Sequence, residues 1–161
     1  EAFILNAPLP VVSLRLANIC GPRLAIGPIP TFYTRLKAGK SCFCSNTVRD
    51  FLDMSDFFSV VDCVLEDDAP TGVFNVSTGE GRSIHDVFVA VARYLGIKPP
   101  EVPIVPPGAH DVPAGVLDPS GTTRTLGWRA QLGFDDTIRR QLEWYDKHGV
   151  TDIYSHLATP K

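Results

Sequence analysis

The sequence predicts an α/β fold built on parallel strands. Strand-like and helix-like stretches alternate along the chain with short connections, which is the pattern of α/β domains. Residues 11–16 and 73–76 are rich in β-branched and apolar side chains, as expected of parallel strands that are buried on both faces. Because two strands do not complete such a sheet, we expect their partners to lie on chain that precedes residue 1.

The first half of the chain contains two predicted helices. Apolar residues recur at i, i+3, i+4 and i+7 from Ile29, and Gly39 follows the last turn, which predicts a short amphipathic helix. Two short strands are predicted at 42–44 and 48–54. A second helix is predicted to begin at Ser55, whose hydroxyl would cap it. Its predicted buried face consists of Phe57, Phe58, Val61, Val64 and Leu65.

The second half of the chain contains the clearest helix signal. Ser83 and Asp86 have the spacing of a capping box, and Gly96 ends the apolar repeat that follows them. The proline-rich stretch at 98–119 predicts extended chain whose apolar side chains become buried. A last helix is predicted at 135–148 from its helical period.

Composition excludes several classes of function. The 161 residues carry a net charge of −3, so no basic field exists to hold nucleic acid. No apolar run approaches the roughly 18 residues that a membrane span needs, so no membrane partner is expected. Four cysteines in a chain of this length predict reduced, half-buried thiols in a cytoplasmic protein. No histidine stands at zinc-ligand spacing from Cys42 or Cys44, so no metal site is expected.

Two polar segments are candidates for ligand binding. Asn18 follows the first predicted strand at its carboxyl end, where open α/β sheets bind their ligands. Arg49 projects from a short predicted strand beside acidic residues. Each has a second interpretation that the residues alone leave open. Asn18 could be an amide that caps a turn, and Arg49 could form a surface ion pair with Asp50 or Asp53.

The order of the motifs resembles that of a known family. The chain contains R-L-A-N-I-C-G-P-R from Arg15, R-D-F-L-D-M-S-D from Arg49, G-V-F-N-V-S-T-G-E from Gly72, D-P-S from Asp118 and L-G-W from Leu126, in that order. From residue 1 to about residue 145, this pattern resembles the C-terminal half of the extended short-chain dehydrogenase/reductase family. Within that family it is most similar to the nucleotide-sugar epimerases and dehydratases.

The resemblance implies the last parallel strands of an NAD(P)-binding Rossmann-like fold together with a small α/β substrate-binding lobe. Residues 1–28 and 71–97 would contribute to the Rossmann sheet and its flanking helices. Residues 29–70 and 98–149 would form the substrate lobe, and residues 150–161 a tail. The cofactor NAD would be bound mainly by an N-terminal half that this chain lacks.

The family's catalytic Tyr-x-x-x-Lys pair would also lie upstream, before Glu1. In the family, the tyrosine removes a proton from a sugar hydroxyl while a hydride passes to the nicotinamide. The resemblance therefore implies that no catalytic residue lies in this chain, and we expect the chain alone to be inactive.

The resemblance assigns binding roles to individual residues. Asn18 and Arg49 match residues that bind the phosphates of the nucleotide sugar, and Asp111 matches an acid held near a ribose hydroxyl. An amide and a guanidinium fork are good partners for phosphate oxygens. The residues expected beside the nicotinamide of the cofactor are Leu16, Ala17 and Ile19.

The base pocket is where the chain departs from the family pattern. Ile29 and Pro30 would begin the helix near that pocket. Cys44 stands where the family often has an aromatic residue that packs on the base. His110 lies where the family usually has an arginine, so one phosphate contact is missing or passes to His110. These departures concern the choice of nucleotide rather than the fold.

The implied function is the substrate-binding part of an NAD-dependent nucleotide-sugar epimerase similar to UDP-glucose 4-epimerase. It would act through a transient keto-sugar, in making sugars for surface polysaccharide such as lipopolysaccharide. A nucleotide-sugar 4,6-dehydratase is the alternative, and a non-catalytic nucleotide-binding or oligomerisation module is a second. The expected partner is a nucleotide-diphosphate sugar, and the full-length protein is expected to form a homodimer through helices outside this chain.

Overall fold

A computed structural model describes residues 1–6, 8–109 and 111–153. The helices are α1 (Ala2–Leu5), α2 (Pro28–Lys37), α3 (Met54–Val64), α4 (Ile84–Tyr94), α5 (Ser120–Leu126) and α6 (Phe134–His148). The strands are β1 (Val12–Leu16), β2 (Asn18–Cys20), β3 (Cys44–Ser45), β4 (Val48–Arg49), β5 (Phe51–Asp53), β6 (Gly72–Val76), β7 (Arg82–Ser83), β8 (Ile104–Val105) and β9 (Ala114–Gly115). Helices alternate with strands that pair mostly in parallel, so the predicted α/β class is confirmed.

The strand pairs bring two distant stretches of chain together. β1 and β6 pair in parallel along their whole lengths. β2 continues from β1 and pairs in parallel with β5, which places Asn18 opposite Phe51. β4 lies between β7, which is antiparallel to it, and β9, which is parallel and places Gly115 opposite Arg49. The chain that leaves β1 therefore runs beside the segment that carries Arg49.

The larger hydrophobic core lies between α2, α4 and α6. Phe32 of α2 meets Phe88 of α4 edge to face, with ring centroids 5.4 Å apart. α4 begins at the predicted capping box, which is confirmed. The Ser83 hydroxyl accepts from the Asp86 backbone N–H, and the Asp86 carboxylate accepts from that of Ser83. Local sequence signals and core packing thus agree for this helix.

The start of α3 differs from the prediction. The helix is capped by Asp53, whose carboxylate accepts a hydrogen bond of 2.8 Å from the backbone N–H of Ser55. The Ser55 hydroxyl donates to the same carboxylate rather than capping the helix itself. A carboxylate is at least as good an N-cap as a hydroxyl and also favours the positive end of the helix.

The buried face of α3 is also partly different. Phe58 is 58% exposed and Leu65 is 74% exposed, so the prediction that they are buried is wrong. Val60 is buried instead, and so is Asp56, whose carboxylate accepts from the backbone N–H groups of Gln131 and Leu132. These contacts come from chain about 75 residues away and set the rotation of the helix.

The proline-rich stretch at 98–119 is extended, as predicted, and contributes β8 and β9. Its predicted burial is incomplete because Ile104, Val112 and Val116 remain exposed. β8 and β9 are each two residues long, and the first residue of each is exposed. α5 follows as a helix that the sequence patterns do not predict, anchored by the Thr122 hydroxyl on the backbone carbonyl of Asn75.

Within the described ranges, no helix combines the length and the apolar character needed to cross a membrane. The same ranges contain no group of three His, Cys, Asp or Glu side chains suited to holding a metal ion. All four cysteines carry free thiols: Cys20, Cys42 and Cys44 are buried and Cys63 is partly buried.

Candidate functional site

A cleft of about 750 Å³ opens at the carboxyl end of β1. Its walls are the chain at 17–20, the loop and helix start at 24–29, and the segment at 45–51, with Ile84 and Asp111 at its edges. Ligands of open α/β sheets bind at the carboxyl ends of parallel strands. The cleft is therefore the candidate binding site of this chain.

Alternate residues of the segment at 45–51 line this cleft. Ser45, Thr47, Arg49 and Phe51 face it, at a spacing of two residues. Side chains of extended chain point alternately to opposite sides, which explains the spacing. Of the side chains on the other face, Cys44 before the segment and Asp50 within it are fully buried, whereas Asn46 is exposed.

Asn18 lies at the start of β2 and faces the cleft. Its backbone N–H donates to the carbonyl oxygen of Asp50 at 3.0 Å, and its side-chain Nδ2 donates to the same oxygen at 3.1 Å. An amide NH₂ group has two hydrogens, so the second can be donated to a ligand. Asn18 thus ties β2 to the neighbouring chain and presents its side chain to the cleft.

Asp50 holds the segment at 45–51 in place on the side that faces away from the cleft. Its carboxylate accepts from the Thr78 hydroxyl at 2.7 Å, the Thr78 backbone N–H at 3.3 Å and the Gly79 N–H at 2.8 Å. A fully buried carboxylate requires such partners, because desolvation is costly for an unpaired charge. The turn at 78–79 therefore fixes the backbone whose carbonyl holds Asn18.

Arg49 is half-buried, and one nitrogen of its guanidinium group is hydrogen-bonded to the backbone. Nη1 donates to the carbonyl of Val48 at 2.8 Å, which leaves other N–H groups of the fork for a ligand. The Arg49 side chain passes beside Gly115, where an added Cβ would lie 3.6 Å from its Cδ, an ordinary contact distance. In the described structure Arg49 forms no ion pair with Asp50 or Asp53, since Asp53 instead pairs with Arg140.

Asp111 borders the cleft from the chain between β8 and β9. Its carboxylate accepts from the Gly108 backbone N–H at 2.9 Å, and the Asp111 N–H donates to the Gly108 carbonyl at 2.9 Å. The side chain is thus positioned by its own turn while remaining exposed. His110, the neighbouring predicted contact, lies outside the described residues.

The cleft brings together most, but not all, of the predicted binding residues. Those that line it are Asn18, Arg49, Asp111, Ile29, Ala17 and Ile19. Leu16, Pro30 and Cys44 do not line it. Pro30 and Cys44 are buried in the interior, and Leu16 is exposed at the end of β1. For Cys44 the reason is the two-residue alternation, which puts Ser45 in the cleft instead.

Two thiols near the site are poor nucleophiles. Burial raises the pKa of Cys20 to about 12, helped by the negative charges of Asp53 and Asp50. Burial likewise raises the pKa of Cys44 to about 11, with a smaller contribution from Cys42. The thiolate is the reactive form, so both groups stay protonated and inert near neutral pH.

Sequence reasoning missed several residues of the cleft wall. Ser45, Thr47 and Phe51 face the cleft together with Arg49, and Ile84 borders it from the start of α4. The spacing of two residues from Arg49 is the signal that could have found the first three. Ile84 lies at the cleft because of a long-range contact, a hydrogen bond of 3.1 Å from its backbone N–H to the Thr47 carbonyl. Local sequence patterns do not show such a contact.

The fold is α/β, and its candidate binding cleft lies beside parallel strands. A family model described as the NAD dependent epimerase/dehydratase family matches residues 2–77. The solved structure of the Bordetella bronchiseptica enzyme WbmG in complex with NAD and UDP is 64% identical, with a TM-score of 0.91. That of the Bordetella bronchiseptica enzyme WbmH in complex with NAD⁺ is 32% identical, with a TM-score of 0.82. The family model and these solved structures thus show the chain to be similar to the NAD-dependent epimerase/dehydratase family.

The chain spans about half the length of these solved structures. The match to WbmG covers 99% of this chain and 52% of that one, and the match to WbmH covers 93% and 50%. A curated relative, the UDP-glucose 4-epimerase of Bifidobacterium longum, is 32% identical over 103 residues. That alignment covers 63% of this chain and 30% of the relative.

Proposed function

We propose that the protein to which this chain belongs is an NAD-dependent nucleotide-sugar epimerase, and that the cleft binds the nucleotide-diphosphate sugar. The observation that carries the proposal is that Asn18 and Arg49 face one cleft at the carboxyl end of β1. Two distant motifs, each suited to phosphate oxygens, are brought together by the parallel pairing of β2 with β5.

The chemistry of the cleft wall suits such a ligand. The guanidinium of Arg49 can bind two phosphate oxygens at once, and the second N–H of Asn18 can donate to another oxygen. In this proposal the carboxylate of Asp111, which lines the cleft, accepts a hydrogen bond from a ribose hydroxyl. Ile29 is buried to 1% exposure and offers an apolar surface near the base.

We propose that the nicotinamide of the cofactor lies at the end of the cleft next to β1. Ala17 and Ile19 line it directly after β1, and small or apolar side chains leave room for a flat ring. When bound, NAD would accept a hydride from the sugar and return it. In this proposal the chain's own residues hold and orient the sugar nucleotide, while the rest of the protein supplies most of the cofactor site and the proton-transfer group.

We also propose the cellular compartment, the biosynthetic role and the oligomeric state of the full-length protein. Free thiols at all four cysteines support a reducing compartment such as the cytoplasm. A role in making sugars for surface polysaccharide, such as lipopolysaccharide, is part of the same proposal. We propose that the full-length protein is a homodimer and that its dimer helices lie outside this chain.

The test uses the full-length protein and measures the affinity for UDP by calorimetry. Replacing Arg49 by Ala should weaken binding by about 2 kcal/mol, the scale of a lost charge-assisted contact. Arg93→Ala is the matched control, because Arg93 is an exposed arginine on α4 outside the cleft. An unchanged Kd for Arg49→Ala would remove Arg49 from the site.

Product analysis separates the reaction classes. With NAD and a panel of UDP-, dTDP- and GDP-sugars, an epimerase gives the epimeric sugar nucleotide with no loss of water. A 4,6-dehydratase gives a keto-deoxy sugar and releases one water. Binding of UDP with no turnover on any sugar would favour a non-catalytic nucleotide-binding module.

A further inference from the structure

Arg82 lies directly opposite Arg49 in the antiparallel pairing of β7 with β4. Residues opposite each other in such a pair point to the same face of the sheet, with their Cβ atoms about 4.5–5.5 Å apart. The two arginine side chains therefore leave the sheet side by side. We propose that Arg82 is a second phosphate-binding cation of the cleft, and that Glu80 competes with the ligand for it. The inference rests on the proposed function, because it takes the phosphates to lie at Arg49.

The two arginines have one carboxylate partner between them. Like charges directly opposite each other in a sheet repel. Arg82 pairs with Glu80, whose Oε2 lies 2.7 Å from its Nη2. Within the described part of the chain, none of the ion pairs includes Arg49. Two positive charges thus face one negative charge, and a bound anion would relieve the repulsion between them.

The ion pair between Arg82 and Glu80 lies at the surface. The side chain of Arg82 is 41% exposed and that of Glu80 is 65% exposed. Ion pairs this exposed contribute little to stability, because water screens the two charges. A diphosphate carries more negative charge than a carboxylate and offers more oxygen acceptors, so it can displace Glu80 from the guanidinium group.

One N–H group of Arg82 lacks an acceptor. Its Nε is buried and has no hydrogen-bond partner among the described residues. A buried N–H without an acceptor is costly. The guanidinium group can bind two oxygens of a carboxylate or phosphate at once, but Glu80 is bonded to Nη2 alone. A phosphate group could accept from both Nε and Nη2.

Phe51 separates the surroundings of Arg82 from the cleft. The guanidinium carbon of Arg82 lies 5.4 Å from the centroid of the Phe134 ring, whose centroid is 5.8 Å from that of Phe51. Arg82 lines a small pocket of about 200 Å³, and Phe51 lines both this pocket and the cleft. In this proposal the guanidinium group of Arg82 turns from Phe134 toward Arg49 when the phosphates bind.

The test measures the affinity of the full-length protein for UDP and for inorganic pyrophosphate by calorimetry. Arg82→Met removes the charge and keeps a long apolar side chain beside Phe134. It should weaken both probes by the same factor, about fivefold to tenfold, because both carry the diphosphate. Glu80→Gln removes the competing carboxylate and should tighten both probes about twofold to fivefold.

Matched variants control for the change in charge. Arg139→Met changes an exposed arginine of α6 that pairs with Asp136 and Glu143, and it should leave both affinities unchanged. Glu66→Gln is the control for Glu80→Gln, since Glu66 is exposed and does not line the cleft.

Further measurements separate binding from packing. Arg82→Lys keeps the positive charge and should bind UDP more tightly than Arg82→Met does. The salt dependence of UDP binding should be smaller in Arg82→Met than in wild type, which a purely structural role would not produce. Thermal unfolding checks that each variant is folded, and Arg82→Gln repeats the test should the methionine variant fold poorly.

The two proposals fail differently. If Arg49→Ala weakens both probes and Arg82→Met weakens neither, the inference is overturned and the proposed function stands. Equal affinities of Arg82→Lys and Arg82→Met would also overturn it, because the side chain would then act by packing against Phe134. Unchanged affinities in Glu80→Gln overturn the competition. Arg49→Ala with no effect on either probe overturns the proposed function itself.

Discussion

The phenol of Tyr145 donates a hydrogen bond of 2.5 Å to the backbone carbonyl of Leu24, which joins α6 to the loop that lines the cleft. The amide of Gln141, one turn earlier, donates to the same phenol oxygen. Burial raises the pKa of Tyr145 to about 12, so the phenol keeps its proton under physiological conditions. The cleft loop is therefore fixed from behind by a helix that does not itself line the cleft.

Replacing Tyr145 by Phe should loosen this loop. The ring and its packing against Tyr33 are kept, but the Leu24 carbonyl and the Gln141 amide lose a buried partner. We expect a loss of about 1–3 kcal/mol in the free energy of unfolding and weaker UDP binding. Denaturant unfolding and calorimetry of the full-length protein measure the two effects.

Tyr94→Phe is the matched control for that variant. Its phenol donates to Asp146 at 2.7 Å, and Tyr94 does not line the cleft. We expect it to lower stability while leaving UDP affinity unchanged. Equal effects of the two variants on UDP binding would show that Tyr145 has no special influence on the cleft loop.

Gly81→Ala should disturb the strand that carries Arg49. A Cβ at position 81 would lie 2.7 Å from Cγ1 of Val48 and 3.0 Å from Cγ2 of Val116. Branched side chains on both sides cannot give way easily, so β4 must shift, at a cost of about 1–3 kcal/mol. Thermal unfolding should show reduced stability, and calorimetry should show weaker UDP binding.

The control for this change is Gly121→Ala in α5. The nearest atom to an added Cβ there is Nη2 of Arg124 at 4.0 Å, so the new methyl group fits. Alanine also favours the helix by up to about 1 kcal/mol. Wild-type stability for Gly81→Ala would mean that the strands around Val48 are looser than the packing indicates.

Asp50→Asn should weaken the hydrogen bonds that join the segment at 45–51 to the turn at 78–79. Three donors, two on Thr78 and one on Gly79, point at the two carboxylate oxygens. An asparagine must place its NH₂ group against at least one of them, which costs about 1–3 kcal/mol. We expect reduced stability in denaturant unfolding, with exposed Asp62→Asn as a control of equal charge change. Similar stability of the two variants would contradict this account of Asp50.

Asp146 should contribute stability that depends on pH. Hydrogen bonds from Tyr33 and Tyr94 hold its pKa below the ordinary value, and Lys37 adds to the effect. Since the folded-state pKa is the lower one, the contribution is fully present above about pH 3.9, the unfolded-state value, and is lost as pH falls through the folded-state pKa. Protonation then removes the charge that the three donors favour.

The measurement compares wild type with Asp146→Asn in denaturant unfolding from pH 7 to pH 2.5. The difference in the free energy of unfolding should stay constant down to about pH 5 and shrink below pH 4. The exposed loop variant Asp67→Asn serves as a reference for the loss of one negative charge. A difference that is the same at pH 2.5 and pH 7 would contradict an ionised Asp146 in this network.

Local signals explain which parts of the fold could be predicted. α4 was predictable because its capping box, apolar repeat and closing glycine all lie within the helix or beside it. The rotation of α3 was not, because Asp56 is oriented by backbone groups of residues 131–132. A contact between residues so far apart in the sequence does not affect the spacing of apolar residues within the helix.

The same distinction applies to the site. The family resemblance implies phosphate binding for Asn18 and Arg49, but only the register of β2 with β5 brings them to one cleft. Cys44 was placed by its position in the motif, without the direction of its side chain. The alternation of extended chain turns it inward and presents Ser45.

This alternation limits how the segment at 45–51 can change in length. Gain or loss of one residue would exchange its two faces. Arg49 would then be forced toward the interior, and the carboxylate of Asp50 would be turned toward an anionic ligand. Homologous proteins that keep this wall of the cleft should therefore tolerate insertions and deletions here in pairs of residues rather than singly.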